Sequence, residues 1–206
     1  ISSTALTLSF SSERKKDRKT INPYVVAVLV ASSAMFFRII AEVAVLNRDL
    51  LGDLIVPIGL MGATGLLGSA FFWFQKEKPS SAVAKKATIV DSPFSLKPAL
   101  QFGAFFALIL FLTKYAEATM GDNGLYLTSL VSGIMDVDAI TVSVANLAKN
   151  GLSNSSAVIA ITIAALTNTF VKGGMFLMLG NKRVAVRIIS VFALVFLVGV
   201  LANIFI

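Results

Sequence analysis

Two acidic residues, Asp136 and Asp138, lie inside an otherwise apolar run of the chain, where ionisable side chains are rare and costly. Residues two apart on a helix point about 200° apart, so both carboxylates can face one partner only if the backbone unwinds between them. Gly133, three residues earlier, favours such a break. Carboxylates and freed carbonyls are hard oxygen ligands, so the segment predicts a site for Mg²⁺, Na⁺ or protons, with Asp136 and Asp138 as the metal ligands.

Hydroxyl side chains accompany this acidic pair. Thr141 and Ser143 follow it directly, and the first residues of the chain, ISSTALTLSF, carry a similar set. From that set we take as candidate binding residues Ser3, Thr4 and Thr7. The alternative is that these hydroxyls bond the carbonyls of the preceding helical turn, as they often do in membrane helices.

Two basic residues also fall within apolar runs. Arg38 has Glu42 four residues later, which predicts a local ion pair on one helix face. Lys172 has no acid four residues away on either side. It therefore needs a partner from another segment, and Asp136 and Asp138 are the candidates.

Three further polar residues, Thr167, Asn168 and Thr169, immediately precede Lys172. Asn168 and Thr169 are four and three residues from Lys172, so all three share one helix face. Polar contacts between helices are the competing explanation, but so dense a polar group favours a binding site that includes Lys172.

Composition indicates the environment of these residues. Of 206 residues, 56% are hydrophobic and 14% charged, and the mean hydropathy is +0.84, which predicts an integral membrane protein with the lipid bilayer as its first partner. The net charge of +7 is clustered between apolar runs, so nucleic-acid binding is not expected. The chain has no cysteine and no histidine, which excludes thiolate or imidazole chemistry. We therefore expect no enzyme activity and no resident cofactor apart from bound Mg²⁺ or Na⁺.

Apolar runs long enough to cross a bilayer need about 20 residues. Five clear runs qualify, at 23–46, 54–74, 98–120, 155–180 and 188–206. The run at 124–148 is interrupted by Gly133 and the two aspartates, and the first 12 residues resemble the end of another such element. The predicted fold is all-α, with about six or seven transmembrane segments and interrupted helices, and the chain is expected to start partway through a longer polypeptide.

The chain also divides into two related halves. A shift of 134 positions aligns Thr7 with Thr141, Arg38 with Lys172, and Asn47 with Asn181. The polar Ser- and Lys-rich stretch 76–97 reads as a cytoplasmic linker. We thus predict a first half at 1–75, truncated at its N-terminus, and a second half at 98–206.

Loop charges bear on the orientation of these halves. The loop at 13–19 and the linker are rich in Lys and Arg, whereas the equivalent of the first loop in the second half keeps only Lys149. By the positive-inside rule, equivalent loops then lie on opposite sides, as in inverted repeats. If every intervening segment spans, however, the repeats would be parallel. An inverted arrangement requires a re-entrant element, for which 124–148 is the candidate.

Several stretches resemble a known family. SSTALTLSF, AMFFRIIAEVAVLN, SPFSLKPALQF, DVDAITVSVANLA and ALTNTFVK together resemble the C-terminal membrane domain that follows the MgtC domain in longer members of the prokaryotic MgtC/SapB family. The resemblance implies a multi-pass protein of the prokaryotic inner membrane with a loose link to magnesium homeostasis. It assigns no catalytic residues.

Three functions remain open at this stage. The first is a channel or secondary transporter for a small cation, in which Lys172 acts as a tethered cation until the substrate displaces it. The second is a small-anion transporter that uses Arg38 and Lys172 as counter-charges. The third is a regulatory protein that docks another membrane complex through a glycine ridge at Gly59, Gly62, Gly65 and Gly68. In each case we expect a homo-oligomer.

Overall fold

The computed structural model describes residues 21–75, 96–179 and 182–204, in which every regular element is a helix. The seven helices of these ranges are α1 (Asn22–Leu46), α2 (Arg48–Phe74), α3 (Leu96–Met120), α4 (Asp122–Met135), α5 (Asp138–Lys149), α6 (Asn154–Leu179) and α7 (Lys182–Ile204). The predicted linker lies almost wholly outside the described residues, so the division into halves stays a prediction.

Four helices are long and apolar enough to cross a membrane. They are Asn22–Leu46, Arg48–Phe74, Asn154–Met178 and Lys182–Ile204. Large apolar side chains such as Leu67, Trp73 and Met178 remain exposed on them, as lipid-facing surfaces require. These observations support an all-α membrane protein. The predicted span at 98–120 stays a prediction, because side chains in the first turns of α3 lie outside the described residues.

Two predicted starts are too late in the chain. The second span was expected from 54, but α2 begins at Arg48 because extended Asn47 caps it, accepting the Leu50 backbone N–H at 3.3 Å. The last span was expected from 188, and α7 begins at Lys182. In both cases the helix includes charged residues at its first turn that hydropathy alone excludes.

Hydrogen bonds identify two ends of the helix bundle. At the aspartate end, Asn154 Nδ2 donates to Asp53 Oδ2 at 3.0 Å and Ser156 Oγ donates to Asp122 Oδ2 at 2.8 Å. These bonds join the N-terminal ends of α2, α4 and α6, within their first two turns. At the other end, the Arg187 end, Arg187 donates to the Asn22 side chain, which itself donates to the Gln75 carbonyl at 3.1 Å. The start of α1 therefore lies opposite the start of α6, and these two helices run in opposite directions.

Glycines allow the long helices to pack closely. A Cβ on Gly65 would clash with Ser33 Oγ, and one on Gly68 would meet a Val191 methyl at 2.6 Å. Small residues permit such approaches in membrane bundles. The predicted glycine ridge is thus used inside this chain, at the contacts of α2 with α1 and α7, except for Gly59, whose added Cβ would meet nothing within 4 Å.

The interrupted segment forms two short helices that return to one end of the bundle. α4 has 14 residues and α5 has 12, which gives about 21 and 18 Å, each short of the roughly 30 Å hydrocarbon core. α4 begins at Asp122, at the aspartate end, and Asn47 Nδ2 donates to the Ala145 carbonyl near the end of α5 at 3.3 Å. We call this pair of helices the hairpin, and its tip lies inside the bundle.

Candidate functional site

The tip of the hairpin is a one-residue interruption of helical geometry. Asp136 is extended (φ −155°, ψ 149°), and Val137 precedes the new helix with φ −98° and ψ −28°. Asp136 N–H donates to the Ser132 carbonyl at 2.8 Å, and Ser132 Oγ donates to the Asp136 carbonyl at 3.1 Å. Because of this break, the side chains of Asp136 and Asp138 need not point about 200° apart, as they would on a continuous helix.

Asp138 begins α5 and contacts α1. Its Oδ1 lies 2.5 Å from Arg38 Nη2, while Arg38 Nε lies 3.7 Å from Glu42 Oε1. The guanidinium therefore lies between two carboxylates from different elements. The sequence predicted the local pair with Glu42, and it offered Asp138 as a partner for Lys172 only.

Lys172 lies on α6 and is fully buried. Its Nζ is 3.3 Å from Met35 Sδ on α1. The predicted pairing of Lys172 with Asp136 and Asp138 stays a prediction. The Asp138 carboxylate forms its ion pair with Arg38.

Asn168 holds the hairpin against α6. Its Nδ2 donates to the Gly133 carbonyl at 3.0 Å, one turn before the break. Gly133 is required there, because an added Cβ would lie 2.5 Å from the Ala164 carbonyl oxygen and 2.9 Å from the Ala164 Cα. The amide thus uses one of the carbonyls near the end of α4, and the glycine permits the approach.

The predicted hydroxyl residues divide into two groups. Thr167 and Thr169 donate to the carbonyls of Ile163 and Ala165 on their own helix, both at 2.8 Å, which is the local bonding common in membrane helices. Thr141 and Ser143 are buried on α5. The first group is engaged locally, which leaves the α5 hydroxyls as the candidate ligands among the predicted residues.

Among the described residues, eight buried side-chain oxygens have no hydrogen-bond partner, and four of them belong to the break or to residues of the helices that contact it. These four are Glu42 Oε2, Asp136 Oδ2, Thr141 Oγ1 and Asn168 Oδ1. A buried oxygen without a hydrogen-bond partner lowers the stability of the fold, so a bound ion or water is expected at such an atom. Carboxylate, hydroxyl and amide oxygens are the donors that alkali and alkaline-earth cations take.

The described residues do not form a metal centre built from carboxylates alone. Within 21–75, 96–179 and 182–204, no group of three or more acidic, histidine or cysteine side chains is placed to hold a metal ion. The predicted metal role of Asp136 and Asp138 therefore stays a prediction, and it would need amide, hydroxyl or backbone oxygens besides the carboxylates.

Comparison with known proteins places the chain in a family. A family model described as Domain of unknown function (DUF4010) matches residues 1–180. The chain belongs to the DUF4010 family. An uncharacterized protein of Aquifex aeolicus (strain VF5) is 28% identical over 191 residues, which cover 92% of this chain and 82% of that protein. No solved structure matches the chain.

The DUF4010 match does not name MgtC/SapB, so that resemblance stays a prediction. The match includes the segment with the predicted binding residues Ser3, Thr4 and Thr7, which lie outside the described residues. It also includes the hairpin and both intramembrane basic residues.

Two residues of the candidate site were not predicted from the sequence. Met35 packs its sulfur on Lys172, and Ser132 closes the last turn of α4. Ser132 could have been found from the run SxxSG at 129–133, which places small polar residues just before the break. Nothing in the sequence singles out Met35 among its apolar neighbours.

Proposed function

We propose that this protein is a membrane channel or secondary transporter for a small cation, with its binding site at the tip of the hairpin. The observation that carries the proposal is the set of four buried oxygens without partners around the break. They belong to α1, the break itself, α5 and α6. Non-helical backbone at such depth is tolerated where it lines a cavity or a site.

The charges of the site favour a cation over an anion. Three carboxylates belong to the break and to the segment of α1 beside it, those of Glu42, Asp136 and Asp138, against the two basic groups of Arg38 and Lys172. The anion alternative rests on those two basic groups alone. Arg38 is already paired with the carboxylates of Asp138 and Glu42, which lowers its attraction for a free anion.

An inverted-repeat architecture is part of the proposal. The shift of 134 positions pairs α1 with α6 and α2 with α7, and the paired helices run in opposite directions between the two ends of the bundle. The same shift pairs Thr4 with Asp138. A hairpin that does not cross supplies the odd number of crossings that such a topology needs. The Arg187 end, with Lys182 and Arg183, is then the cytoplasmic one.

The remaining expectations concern the setting of the protein. We propose a multi-pass protein of the prokaryotic inner membrane, assembled as a homo-oligomer, with a small ion as its partner and no enzyme activity. The regulatory alternative loses one of its supports, because Gly62, Gly65 and Gly68 pack within the chain.

The proposal is tested by ion flux in proteoliposomes. Currents are recorded after rapid jumps in magnesium, sodium or proton concentration for the wild type and for Asp138→Asn, with exposed Asp49→Asn at the aspartate end as the matched control. We expect a current with one cation that Asp138→Asn abolishes and Asp49→Asn keeps. Silence for every cation in folded protein would reject the proposal, and an anion current lost in Lys172→Met would favour the anion transporter.

A further inference from the structure

The two basic groups of the site differ in their freedom to move. The Arg38 side chain is 47% exposed, whereas Lys172 is 0% exposed. Arg38 lies eight residues before the end of α1, about 12 Å along the helix axis, a depth at which a half-exposed guanidinium facing lipid would be costly. Among the described residues, Ala34 and Ala41 are also exposed on this side of α1, together with the larger side chains of Val30, Phe37 and Val45.

We propose that Arg38 is a displaceable gate on the cation site, and that the face of α1 formed by Ala34, Arg38 and Ala41 lines a water-filled vestibule leading to it. In the closed state the guanidinium occupies Asp138. When a small cation binds to Asp138, Arg38 turns away into the vestibule. This inference rests on the proposed function, since it concerns the same site.

Glu42 makes this exchange feasible. It lies one turn from Arg38, with its Oε1 already 3.7 Å from Arg38 Nε, so the guanidinium keeps a carboxylate partner after leaving Asp138. The incoming cation takes over the contact with Asp138 Oδ1 and finds the unpartnered oxygens of Asp136 and Thr141 near the same break. Asp138 then pairs with the bound cation and Arg38 with Glu42, so neither charged side chain is left without a counter-charge.

The buried position of Lys172 makes it the fixed charge instead. The sequence hypothesis gave the role of tethered cation to Lys172, but its side chain is enclosed, and Asn168, one turn earlier on α6, is bonded to the hairpin. Its displacement would require the helices packed around it to separate, α1 among them, since Lys172 Nζ lies 3.3 Å from Met35 Sδ. Arg38 needs only a side-chain rotation, so the geometry points to Arg38 as the exchanging group.

Cation binding to the purified protein tests the gate. Heat of binding is measured for NaCl and for MgCl₂, with N-methyl-D-glucamine chloride as the ionic-strength control, on the wild type, Arg38→Gln and the exposed-arginine control Arg48→Gln. Because the competing charge is gone, we expect Arg38→Gln to bind the cation at least about tenfold more tightly, while Arg48→Gln matches the wild type. Arg38→Lys, which keeps the charge with fewer donors, should fall between them and serves if Arg38→Gln does not fold.

The outcomes separate the gate from the proposed function. Equal or weaker binding in Arg38→Gln and Arg38→Lys, with clear binding by the wild type, would overturn the gate and leave the cation site intact. No binding by any folded variant would overturn both. Tighter binding in both Arg38 variants supports both.

The vestibule has an independent test, because the chain contains no cysteine. Ala41→Cys in proteoliposomes is reacted with a charged, membrane-impermeant methanethiosulfonate, and Phe170→Cys, on an exposed apolar face of α6, is the lipid-facing control. We expect Ala41→Cys to react at least about tenfold faster, since thiolates form in water and not in lipid. Equal rates would overturn the vestibule.

Discussion

Helices α1 and α6 have corresponding faces, which the shift of 134 positions aligns, but these faces have different surroundings. On α6, the face with Asn168 and Lys172 is closed by the hairpin, which Gly133 allows to approach. On α1, the corresponding Arg38 side chain pairs with Asp138 and is 47% exposed among the described residues, next to exposed Ala34 and Ala41. In the proposed gate, the enclosed cation is part of the framework, whereas the half-exposed cation next to a carboxylate is the exchanging group.

Opening the covered face is expected to have the largest effect. In Gly133→Ala the new methyl would lie 2.5 Å from the Ala164 carbonyl oxygen, so the hairpin must shift. We expect the free energy of unfolding to fall by about 2–3 kcal/mol, measured by denaturant titration in detergent. Gly59→Ala, whose Cβ would meet nothing within 4 Å, should not be destabilised; a similar loss in both variants would contradict the close contact.

Removing the amide that fastens the hairpin should cost less. Asn168→Ala leaves the buried Gly133 carbonyl without its donor, which we expect to lower the free energy of unfolding by about 1–2 kcal/mol. The matched control is Asn203→Ala, because the Asn203 amide donates only within its own helix, to Gly199 at 2.7 Å. If the two variants lose equal stability, the Asn168–Gly133 hydrogen bond does not stabilise the contact between α6 and the hairpin.

The difference in access between the two faces can be measured directly. Arg38→Cys and Lys172→Cys are exposed in turn to the same membrane-impermeant thiol reagent. Since Lys172 is enclosed and Arg38 is half exposed, the rate at Arg38→Cys should be about tenfold higher. Comparable rates would mean that α6 is as open as α1 in the membrane.

The smallest effect concerns two threonines. Thr141 Oγ1 has no partner among the described residues, whereas Thr169 Oγ1 donates within its own helix. We expect Thr141→Val to weaken cation binding severalfold in calorimetry and Thr169→Val to leave it unchanged. Loss of affinity in Thr169→Val alone would shift the site from α5 to α6.

Much of the fold was accessible from local sequence rules. Apolar runs located four of the long helices, and Gly133 with the two aspartates located the break, because both signals are encoded in neighbouring residues. Thr167 and Thr169 bond to their own helix, an arrangement that the sequence suggests as the alternative for Thr141 and Ser143, whereas for these two threonines the alternative is contacts between helices. Helix starts were less accurate, since the Asn47 cap lets the charged residues Arg48 and Asp49 form the first turn of α2, which hydropathy alone excludes.

The partners within the site were harder to predict. Pairing Asp138 with Arg38 depends on how α5 packs against α1, which is a tertiary relation that spacing cannot express. The sequence could suggest that the aspartates belong with a basic residue, and it assigned them to Lys172. The role of the Gly133 carbonyl as acceptor for Asn168 also follows only from packing.

The account depends most on the hairpin entering and leaving the membrane at one side. Single cysteines at exposed Asn123 and Asn150 flank the hairpin, and Lys182→Cys marks the Arg187 end. In spheroplasts treated with an impermeant thiol reagent before and after lysis, we expect Asn123→Cys and Asn150→Cys to be labelled from the same side and Lys182→Cys from the other. Labelling of Asn123→Cys and Asn150→Cys from opposite sides would show that 122–149 crosses the membrane, and would contradict a site at the tip of a hairpin.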